Sequence, residues 1–511
     1  MNKERIAYGD WQTPYALARS ICIRLKAQGL APTTIVEPTC GVGHFIRAAL
    51  DVFDTVKTVY AIELYAPYIQ YLQSLEAEYS AVTFRIHCMS VFDFDFSTIA
   101  NERELLVIGN PPWVTNSLLG SIGSKNLPTK SNFKHNRGLD AMTGMGNFDI
   151  SESILLLLFK GLAGRRCRFA LLVKNAVIRN IVREQAASRL HISDLAQYEI
   201  DTRREFGAAA AASLFVGQLR DKERGDCARC KVYDFYSGRY LRTFGIINDR
   251  TISNIAAYQQ SAFIDGRSPF TWRSGIKHDC ARIMELSKTQ RGSYLNGLKA
   301  EVAIEDELIY PLVKSSDIAS FNGRTRKHLL VTQRRTSDDT SSLQRDYPLA
   351  YRYLSAYGAY LDGRKSSIYL HRPRFCLFGI GDYSFMPYKV AISSLYRTTR
   401  FTLLYPIDGK PVVIDDTCYA IGFNNELFAR ITLMILNSAY VQDFIRAVSS
   451  EDAKRIITKE LLMRIDLRKS IDHFSNEELG ITEELRTEYL SQMKQTQPPL
   501  SSLFRSSLFR S

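Results

Sequence analysis

The sequence lacks several features that would define a membrane or secreted protein. It has no apolar run approaching the ~18 residues of a membrane span, and Met1 to Arg5 lead into no apolar signal segment. Its nine cysteines are odd in number and scattered, which excludes a regular disulfide framework. Cys227 and Cys230, even with His278 and Cys280, fit no common zinc spacing, so no metal site is predicted. We therefore expect a cytoplasmic protein with no membrane contact.

The length, composition and net charge of the chain indicate a large globular protein with an anionic partner. A chain of 511 residues is too long for one ordinary core, so two or three domains are expected. Hydrophobic residues make up 45% and charged residues 23%, as in globular domains. The net charge of +13 favours a polyanion, most simply a nucleic acid.

One short stretch predicts a reactive site at a strand end. The apolar run at 105–108 is typical of a buried strand, and Gly109, Asn110, Pro111, Pro112 and Trp113 follow it. Two prolines cannot extend a ladder, so they hold a rigid turn. The Asn110 amide oxygen and the Pro111 carbonyl suit the two N–H groups of an exocyclic amine, and Trp113 suits a flat ring. The alternative is a Pro-Pro turn with a core tryptophan.

A glycine turn lies upstream between a strand and a helix. Residues 34–37 have the content of a strand, Gly41 and Gly43 follow, and a helical pattern covers 46–52. Glycines without Cβ atoms let a ligand lie against the backbone. Glu63 ends the next predicted strand, at 58–63, where its carboxylate suits two ribose hydroxyls. A solvated strand-end glutamate is the alternative.

The first predicted helix, at 16–26, begins next to another candidate ligand group. Thr13 is predicted as its N-cap and Pro14 as its first helical residue. Such a helix start either is a simple cap or holds a carboxylate through its hydroxyl and amides. A third strand-like run at 82–87 leads to Ser90, Phe92 and Asp93.

These segments resemble motifs X, I, II and IV of the S-adenosylmethionine-dependent amino-methyltransferases. Their order resembles the γ class of DNA adenine-N6 methyltransferases of type II-like restriction–modification systems. The resemblance implies S-adenosylmethionine as cofactor and Asn110, Pro111, Pro112 and Trp113 as catalytic residues. It also implies a group of cofactor-binding residues. They are Thr13, Pro14, Glu37, Pro38, Cys40, Gly41, Gly43, Phe45 and Glu63, with Ser90 or Asp93 and Phe92 at the cofactor's adenine.

The same resemblance extends to motif VIII and to the architecture. Residues 200–207 resemble the segment whose aromatic residue sandwiches a flipped base together with Trp113, which makes Phe206 the candidate; a core phenylalanine is the alternative. The implied fold is a Rossmann-like, seven-stranded α/β domain with one antiparallel strand, followed by a mixed α+β target recognition domain. We place the catalytic domain at 1–245, the recognition domain at 246–490 and a disordered tail at 491–511.

Basic residues cluster in the second half, where strands are predicted at 375–380 and 412–414. Clusters with aromatics between them suit a groove over phosphates, and a solvated surface is the alternative. The long segment 115–148 is either a mobile loop or a further phosphate contact. The predicted DNA-binding residues are Arg324, Arg326, Lys327, Arg334, Arg335, Arg364, Lys365, Arg372 and Arg374.

The resulting hypothesis is a prokaryotic enzyme that methylates adenine N6 in double-stranded DNA. It would act as a monomer on DNA, in the cytoplasm or on the nucleoid, with a separately encoded restriction endonuclease as cognate partner. Two alternatives remain at this stage. One is a methyltransferase for RNA or for a protein glutamine, and the other is a non-catalytic DNA-binding specificity protein.

Overall fold

The computed structural model describes residues 12–99, 102–114, 149–188, 190–207, 210–219, 228–396, 398–449 and 455–495. The predicted loop at 115–148, Cys227 and residues 496–511 of the predicted tail lie outside this part. Residues 491–495 belong to the last helix. The chain divides into two compact units between Ala256 and Ala257, which we call unit 1 and unit 2. The division falls after the boundary at 245 that the sequence suggests, because 245 lies inside a strand of unit 1.

Unit 1 alternates strands and helices in its first half and is mainly β in its second. Its helices are α1 (Tyr15–Ala27), α2 (His44–Val52), α3 (Ile69–Glu78), α4 (Ile150–Gly161), α5 (Asn175–Ser188) and α6 (Thr202–Phe206). Its strands are β1 (Thr34–Glu37), β2 (Thr58–Glu63), β3 (Thr83–Cys88), β4 (Leu105–Gly109), β5 (Cys167–Lys174), β6 (Ile192–Glu199), β7 (Ala212–Leu219), β8 (Arg229–Asp234), β9 (Tyr240–Ile247) and β10 (Arg250–Ile252).

These strands form one sheet in the order β10-β9-β8-β6-β7-β5-β4-β1-β2-β3. Strands β1 to β5 are mutually parallel, and β7 is antiparallel to both β5 and β6. The seven-stranded α/β sheet with one antiparallel strand is therefore confirmed. Strands β8, β9 and β10 continue it beyond β6, which the sequence did not predict.

Both faces of the parallel part of this sheet are covered, as βαβ crossovers require. Neighbouring residues of β1 face opposite cores: Val36 packs in the cluster with α4 and α5, and Ile35 in the cluster with α1 and α2. The central strand β4 is buried at every position. Burial on both faces explains why its sequence is a continuous apolar run rather than an alternating pattern.

Unit 2 contains two smaller sheets, with helices concentrated toward its end. Helix α7 (Ile255–Ser261) spans the division between the units. The sheet orders are β11-β20-β17-β18 and β14-β13-β12-β16-β15-β19. The strands are β11 (Arg273–Ser274), β12 (Glu285–Lys288), β13 (Tyr294–Leu295), β14 (Glu301–Val302), β15 (Ile309–Val313), β16 (Lys327–Leu330), β17 (Tyr388–Ser393), β18 (Thr402–Leu404), β19 (Val413–Ile414) and β20 (Cys418–Phe423).

The helices of unit 2 are α8 (Ala281–Met284), α9 (Ser315–Ile318), α10 (Leu343–Asp346), α11 (Pro348–Ala356), α12 (Gly358–Asp362), α13 (Glu426–Asn437), α14 (Ala439–Val448), α15 (Lys459–Leu462), α16 (Leu467–Ile471), α17 (Asn476–Leu479) and α18 (Glu483–Gln495). A mixed α+β unit is what the sequence predicted. No helix in the described part of the chain is long and apolar enough to cross a membrane.

The predicted strand at 375–380 is wrong. Only Phe378 makes a strand-like bridge there, to Lys277, and the chain turns away at Gly379. Gly379 has a φ of +64°, and a Cβ atom built on it would lie 2.5 Å from the carbonyl oxygen of Gly275. A left-handed residue pressed against a second backbone cannot continue a strand. The predicted strand at 412–414 is confirmed as β19.

Candidate active site

The predicted site residues of unit 1 converge on one edge of its sheet. β1, β2, β3, β4 and β5 are parallel, so their carboxyl ends meet there. β1 and β4 are neighbours, and the chain leaves β1 toward β2 on one side and β4 toward β5 on the other. This is the switch point at which open α/β sheets bind their ligands. The glycine turn after β1 and the Asn-Pro-Pro-Trp turn after β4 are therefore adjacent.

The glycine turn after β1 has the left-handed backbone that its glycines permit. Gly41 and Gly43 have φ angles of +55° and +81°. A Cβ atom on Gly43 would lie 2.7 Å from Leu75 Cδ1 of α3, so the turn packs too closely for a side chain. On Gly41 it would lie 2.5 Å from the side-chain amide of Gln12. The turn is thus lined by residues that precede α1.

Contacts between this turn and the start of α1 link two motifs that are about thirty residues apart. The Val42 amide donates to Gln12 Oε1 at 3.3 Å. The His44 ring nitrogen Nδ1 lies 2.7 Å from the carbonyl oxygen of Thr13. Sequence reasoning selected Thr13 but missed Gln12 and His44, because only the folded chain brings them to the turn.

The predicted cap of α1 is displaced by one residue. Pro14, with a ψ of 135°, is the N-cap, and its carbonyl accepts from the amides of Leu17 and Ala18. Thr13 makes no cap bond; its Oγ1 is buried without a hydrogen-bond partner among the described residues. The expectation of Thr13 as N-cap and Pro14 as first helical residue is therefore wrong. The buried, unused Thr13 hydroxyl remains available to a ligand at this helix start.

Two carboxylates lie at the ends of β1 and β2. Glu63 accepts from the amides of Gly41 and Tyr65, each at 2.7 Å, and so fixes the glycine turn to β2. Glu37 is 2% exposed, and its Oε2 has no hydrogen-bond partner among the described residues. Burial, followed by the charge of Glu63, raises the pKa of Glu37 well above its ordinary value. Glu37 is thus a buried acid without a cationic partner in the described part of the chain.

The remaining residues of the glycine-turn motif have structural contacts. Cys40 Sγ donates to the Ile62 carbonyl at 3.0 Å, and burial raises the pKa of this thiol well above its ordinary value. Phe45 is buried in the core of unit 1. Pro38 is buried, and its Cδ would lie 3.6 Å from a Cβ atom built on Gly109. Of these three residues, Pro38 packs next to the β4 turn.

The third strand end carries the segment predicted to face the cofactor's adenine. Ser90 Oγ caps a 3-10 helix, Val91–Asp93, by accepting from the Phe92 amide at 3.3 Å. Phe92 is half-buried against the core, whereas Asp93 is exposed. The choice between Ser90 and Asp93 stays open.

The Asn-Pro-Pro-Trp turn follows β4 directly. Asn110 is half-buried and Pro111 is buried. Gly109 has a φ of +157°, and a Cβ atom on it would lie 3.3 Å from Glu37 Cγ, so the buried acid lies against the backbone before Asn110. Trp113 is 5% exposed, and its Nε1–H donates to the Leu172 carbonyl of β5 at 3.2 Å. The indole plane is thereby fixed relative to the sheet.

Phe206 and Trp113 meet although they lie far apart in the sequence. Their ring centroids are 5.1 Å apart at 65°, an edge-to-face contact. Phe206 ends α6, and Gly207 stops that helix with a φ of +65°. Phe206 is half-buried, unlike Trp113. The two residues predicted to hold a flipped base therefore form one aromatic wall beside Asn110.

A polar network that the sequence did not single out supports this turn. Lys174 Nζ, at the end of β5, donates to the Trp113 carbonyl and to Asp149, each at 2.7 Å. Asp149 is the N-cap of α4 and accepts from the Ser151 amide. Asn175 Oδ1 accepts from Ser213 Oγ at 2.7 Å. The sequence feature that could have indicated this network is the polar pair Lys174 and Asn175 at the end of the apolar strand β5.

The nine predicted DNA-binding residues of unit 2 fall into three groups according to their contacts. Three form ion pairs: Arg326 with Asp317, Arg335 with Asp382, and Arg374 with Asp362. Two others are used internally: Arg364 donates to three backbone carbonyls, and Lys327 donates to Ser287 Oγ. Four are exposed without an ion pair among the described residues, namely Arg324, Arg334, Lys365 and Arg372.

The strand-end residues fit S-adenosylmethionine. The glycine turn admits a ligand against its backbone, and the buried Thr13 hydroxyl can donate to a carboxylate. The buried Glu37 carboxyl, whose pKa is raised in the absence of a cation, would ionise beside a bound cation. Glu63 holds its carboxylate beside that turn. No group of three or more metal-ligating side chains occurs among the described residues. Fold and site together define an S-adenosylmethionine-dependent methyltransferase.

Comparison with known proteins places the chain more narrowly. It is 38% identical over 472 residues to the type II methyltransferase M.NspV of Nostoc sp. (strain ATCC 29411 / PCC 7524), covering 91% of this chain and 98% of that protein. The chain therefore belongs to the type II methyltransferases of restriction–modification systems. No family model matches the chain.

One solved structure shares the fold of this chain over nearly its whole length. The type IIL restriction–modification enzyme MmeI, in complex with DNA, matches with a TM-score of 0.50 and 12% identity, over 97% of this chain and 74% of MmeI. The methyltransferase subunit of a type I restriction–modification system from Streptococcus thermophilus matches with a TM-score of 0.32 and 15% identity, over 49% of this chain and 52% of that one.

Proposed function

We propose that this methyltransferase modifies the N6 amine of an adenine in double-stranded DNA. The observation that carries the proposal is the position of Asn110 and Pro111 at the β4 end, beside the glycine turn of β1 at the switch point. An amide oxygen and a backbone carbonyl together suit two N–H donors on one nitrogen. An exocyclic amine of a base has that geometry, and the neighbouring aromatic wall suits the base plane.

The reaction follows from what these groups can hold. When bound, S-adenosylmethionine supplies an electrophilic methyl group on a sulfonium. The Asn110 side-chain oxygen and the Pro111 carbonyl accept hydrogen bonds from the two amine N–H groups and direct the nitrogen lone pair away from the ring. Trp113 and Phe206 hold the base after it leaves the helical stack, which costs a few kcal/mol. Most of the rate then comes from positioning, and no covalent intermediate with the protein is needed.

The division of labour between the units is part of the proposal. Unit 1, predicted as residues 1–245, carries the chemistry, and unit 2, predicted as 246–490, recognises the target sequence. A separately encoded restriction endonuclease is the expected cognate partner, and the enzyme works as a monomer on DNA inside a prokaryotic cell. The MmeI structure supports DNA as substrate, since that enzyme is bound to DNA and shares the fold of this chain.

Three other acceptors would suit the same strand-end turn. Cytosine N4 is also an exocyclic amine on a flat base, and an RNA base or a protein glutamine offers the same N–H pair. The net charge of +13 favours a nucleic acid over a protein. A non-catalytic specificity protein is disfavoured, because a methyltransferase is similar to this chain over 98% of its own length.

Nucleoside analysis tests the proposal. Unmethylated plasmid DNA is incubated with the purified chain and isotope-labelled S-adenosylmethionine, digested to nucleosides and examined by mass spectrometry. We expect label in N6-methyldeoxyadenosine. Label in N4-methyldeoxycytidine would move the acceptor to cytosine. Transfer only to RNA or to glutamine residues would contradict the proposal.

A further inference from the structure

One short stretch of unit 2 carries three arginines on aromatic rings. We call residues 378–385 the aromatic segment. Arg334 lies over the ring of Phe385, with its Cζ 4.2 Å from the centroid. The corresponding distances are 5.1 Å for Arg273 over Tyr383 and 5.9 Å for Arg372 over Phe378. We call Arg273, Arg334 and Arg372 the stacked arginines; Arg273 was not among the predicted DNA-binding residues.

The rings under these arginines are held in place by the rest of unit 2. Phe378 exchanges two backbone hydrogen bonds with Lys277, at 2.8 and 3.0 Å. The backbone around Tyr383 is fixed by the Ser384 amide, which donates to the Gly381 carbonyl at 2.8 Å. The Phe385 ring packs edge-to-face on Tyr310 at 5.3 Å. Each guanidinium plane therefore rests on a fixed surface.

The stacked arginines are exposed, and none forms an ion pair within the described part of the chain. The nearest acid in sequence to Arg334 is Asp338, whose Oδ2 accepts from the backbone amides of Arg334 and Arg335. Asp382 lies within the aromatic segment but is paired with Arg335 at 2.8 Å. The positive charge of the three guanidinium groups is thus uncompensated at the surface.

A small cavity lies beside Tyr383, one of these three rings. The cavity has a volume of about 30 Å³ and is lined by Arg273, Ser274, Tyr383, Ser384 and Lys389, with no acidic residue in its wall. Lys389 is 3% exposed, and its ammonium group donates to the Met386 carbonyl at 2.6 Å. The Arg273 guanidinium, with no acid in the cavity wall, favours an anion at this surface.

We propose that Arg273, Arg334 and Arg372 contact the target duplex through the N–H edges that face away from their rings. A guanidinium fork suits a pair of acceptors, either two phosphate oxygens or O6 and N7 of guanine. A stacked guanidinium loses less rotamer freedom on binding, which favours its use at an interface. The inference rests on the proposed DNA substrate and goes beyond it by naming the arginines that meet the duplex.

The same unit offers a matched set of controls. The paired arginines Arg326, Arg335 and Arg374 are also exposed, but each already has an acidic partner. Arg374 also lies over an aromatic ring, with its Cζ 5.7 Å from the centroid of Phe375. The control set therefore includes an arginine that is stacked but already paired with an acid. Replacing either set by alanine removes three positive charges from the chain.

Salt-dependent DNA binding distinguishes the two sets. The full chain, the variant R273A/R334A/R372A and the variant R326A/R335A/R374A are titrated against a labelled mixed-sequence duplex at several salt concentrations. For the stacked set we expect weaker binding and a slope of log Kd against log salt lower by about two to three, since each phosphate contact contributes ~0.9. For the paired set we expect the wild-type slope. Thermal melting and S-adenosylmethionine affinity confirm that all three proteins are folded.

A second duplex separates the two sources of paired acceptors. It contains the modified site located by sequencing DNA from a host that expresses the protein. Loss of affinity by the stacked-set variant on both duplexes supports phosphate contacts, and loss on the modified site alone supports guanine contacts. Wild-type binding by that variant would overturn the inference, as would equal losses in the two sets. If either of these results is found and the wild-type chain still binds and methylates DNA, the proposed function stands and only this inference fails.

Discussion

The two units use charge in opposite ways. In unit 1, the acidic side chains Glu37 and Glu63 lie at strand ends, buried or bonded to backbone amides, where a small cationic cofactor fits. In unit 2, guanidinium groups lie on exposed aromatic rings, and only some of them keep a free charge. At a strand end, contacts with the backbone hold an acidic side chain in place before a ligand binds. A surface arginine is available only if no acid elsewhere in the chain has already paired with it.

The largest expected effect comes from a substitution in the cofactor-binding turn of unit 1. Gly41→Asp would place a carboxylate at the Gln12 contact and beside Glu63, in the turn that admits the cofactor. We expect the affinity for S-adenosylmethionine to fall by about a hundredfold or more, or roughly 3 kcal/mol, measured by calorimetry. Aspartate tolerates a left-handed backbone better than most residues, so the fold should be kept.

Gly238→Asp is the matched control for that substitution. Gly238 also has a left-handed φ, +72°, and lies in the turn between β8 and β9 of the same unit. The nearest atom to its added Cβ is 3.5 Å away, on Arg24. Its cofactor affinity should equal that of the wild type. Equal losses in the two variants would place the effect on general folding and not on the glycine turn.

An intermediate effect is expected on the unit 2 side, from Lys389. Burial lowers the pKa of Lys389 to about 7 in the folded state, whereas the unfolded chain titrates near its ordinary 10.5. The unfolded state then binds more protons between these values, so stability rises with pH. From pH 7 to pH 9 the gain should be about 2 kcal/mol. Urea unfolding of the wild type and of Lys389→Met at both pH values measures it.

In that experiment, Lys389→Met should lack this part of the pH dependence. Methionine keeps the length of the side chain and carries no charge to bury. If both proteins gain the same stability between pH 7 and pH 9, burial does not lower the pKa of Lys389, and its amine stays charged in the native protein.

The smallest effect concerns the aromatic wall. In a double-mutant cycle, Trp113→Phe and Phe206→Leu should show a coupling of about 1 kcal/mol in stability, as edge-to-face pairs do. If the wall also holds the target base, Phe206→Leu should slow methylation of a paired adenine more than that of a mispaired one, which is easier to flip. An equal defect on both substrates would leave Phe206 a core residue only.

The sequence predicted most of unit 1 because its pattern is local. Each strand is a short apolar run, and the glycine turn, Glu63 and the Asn-Pro-Pro-Trp turn each follow one directly, so sheet topology alone brings them together. It missed Lys174 and Gln12, whose contacts to Trp113 and Val42 depend on tertiary packing. The three added strands also escaped prediction.

Unit 2 was harder to predict for a related reason. The sequence shows where the basic residues cluster, but the acids that neutralise Arg326, Arg335 and Arg374 lie between nine and forty-seven residues away. Arg273 lay outside every cluster, and only the fold places it on Tyr383. Charge composition therefore predicts the kind of partner, whereas the choice of arginines that we propose for the contact depends on ion pairing in the folded chain.

The central claim is that the β4 end is where methyl transfer takes place, and Asn110→Ala tests it most directly. Single-turnover methylation of duplex DNA is measured alongside S-adenosylmethionine affinity. Loss of an acceptor that orients the amine in the transition state should slow transfer roughly a hundredfold or more, or about 3 kcal/mol, while cofactor affinity barely changes. The defect should persist on a mispaired adenine, since the lost step follows flipping. Near-normal single-turnover methylation by Asn110→Ala would contradict this account.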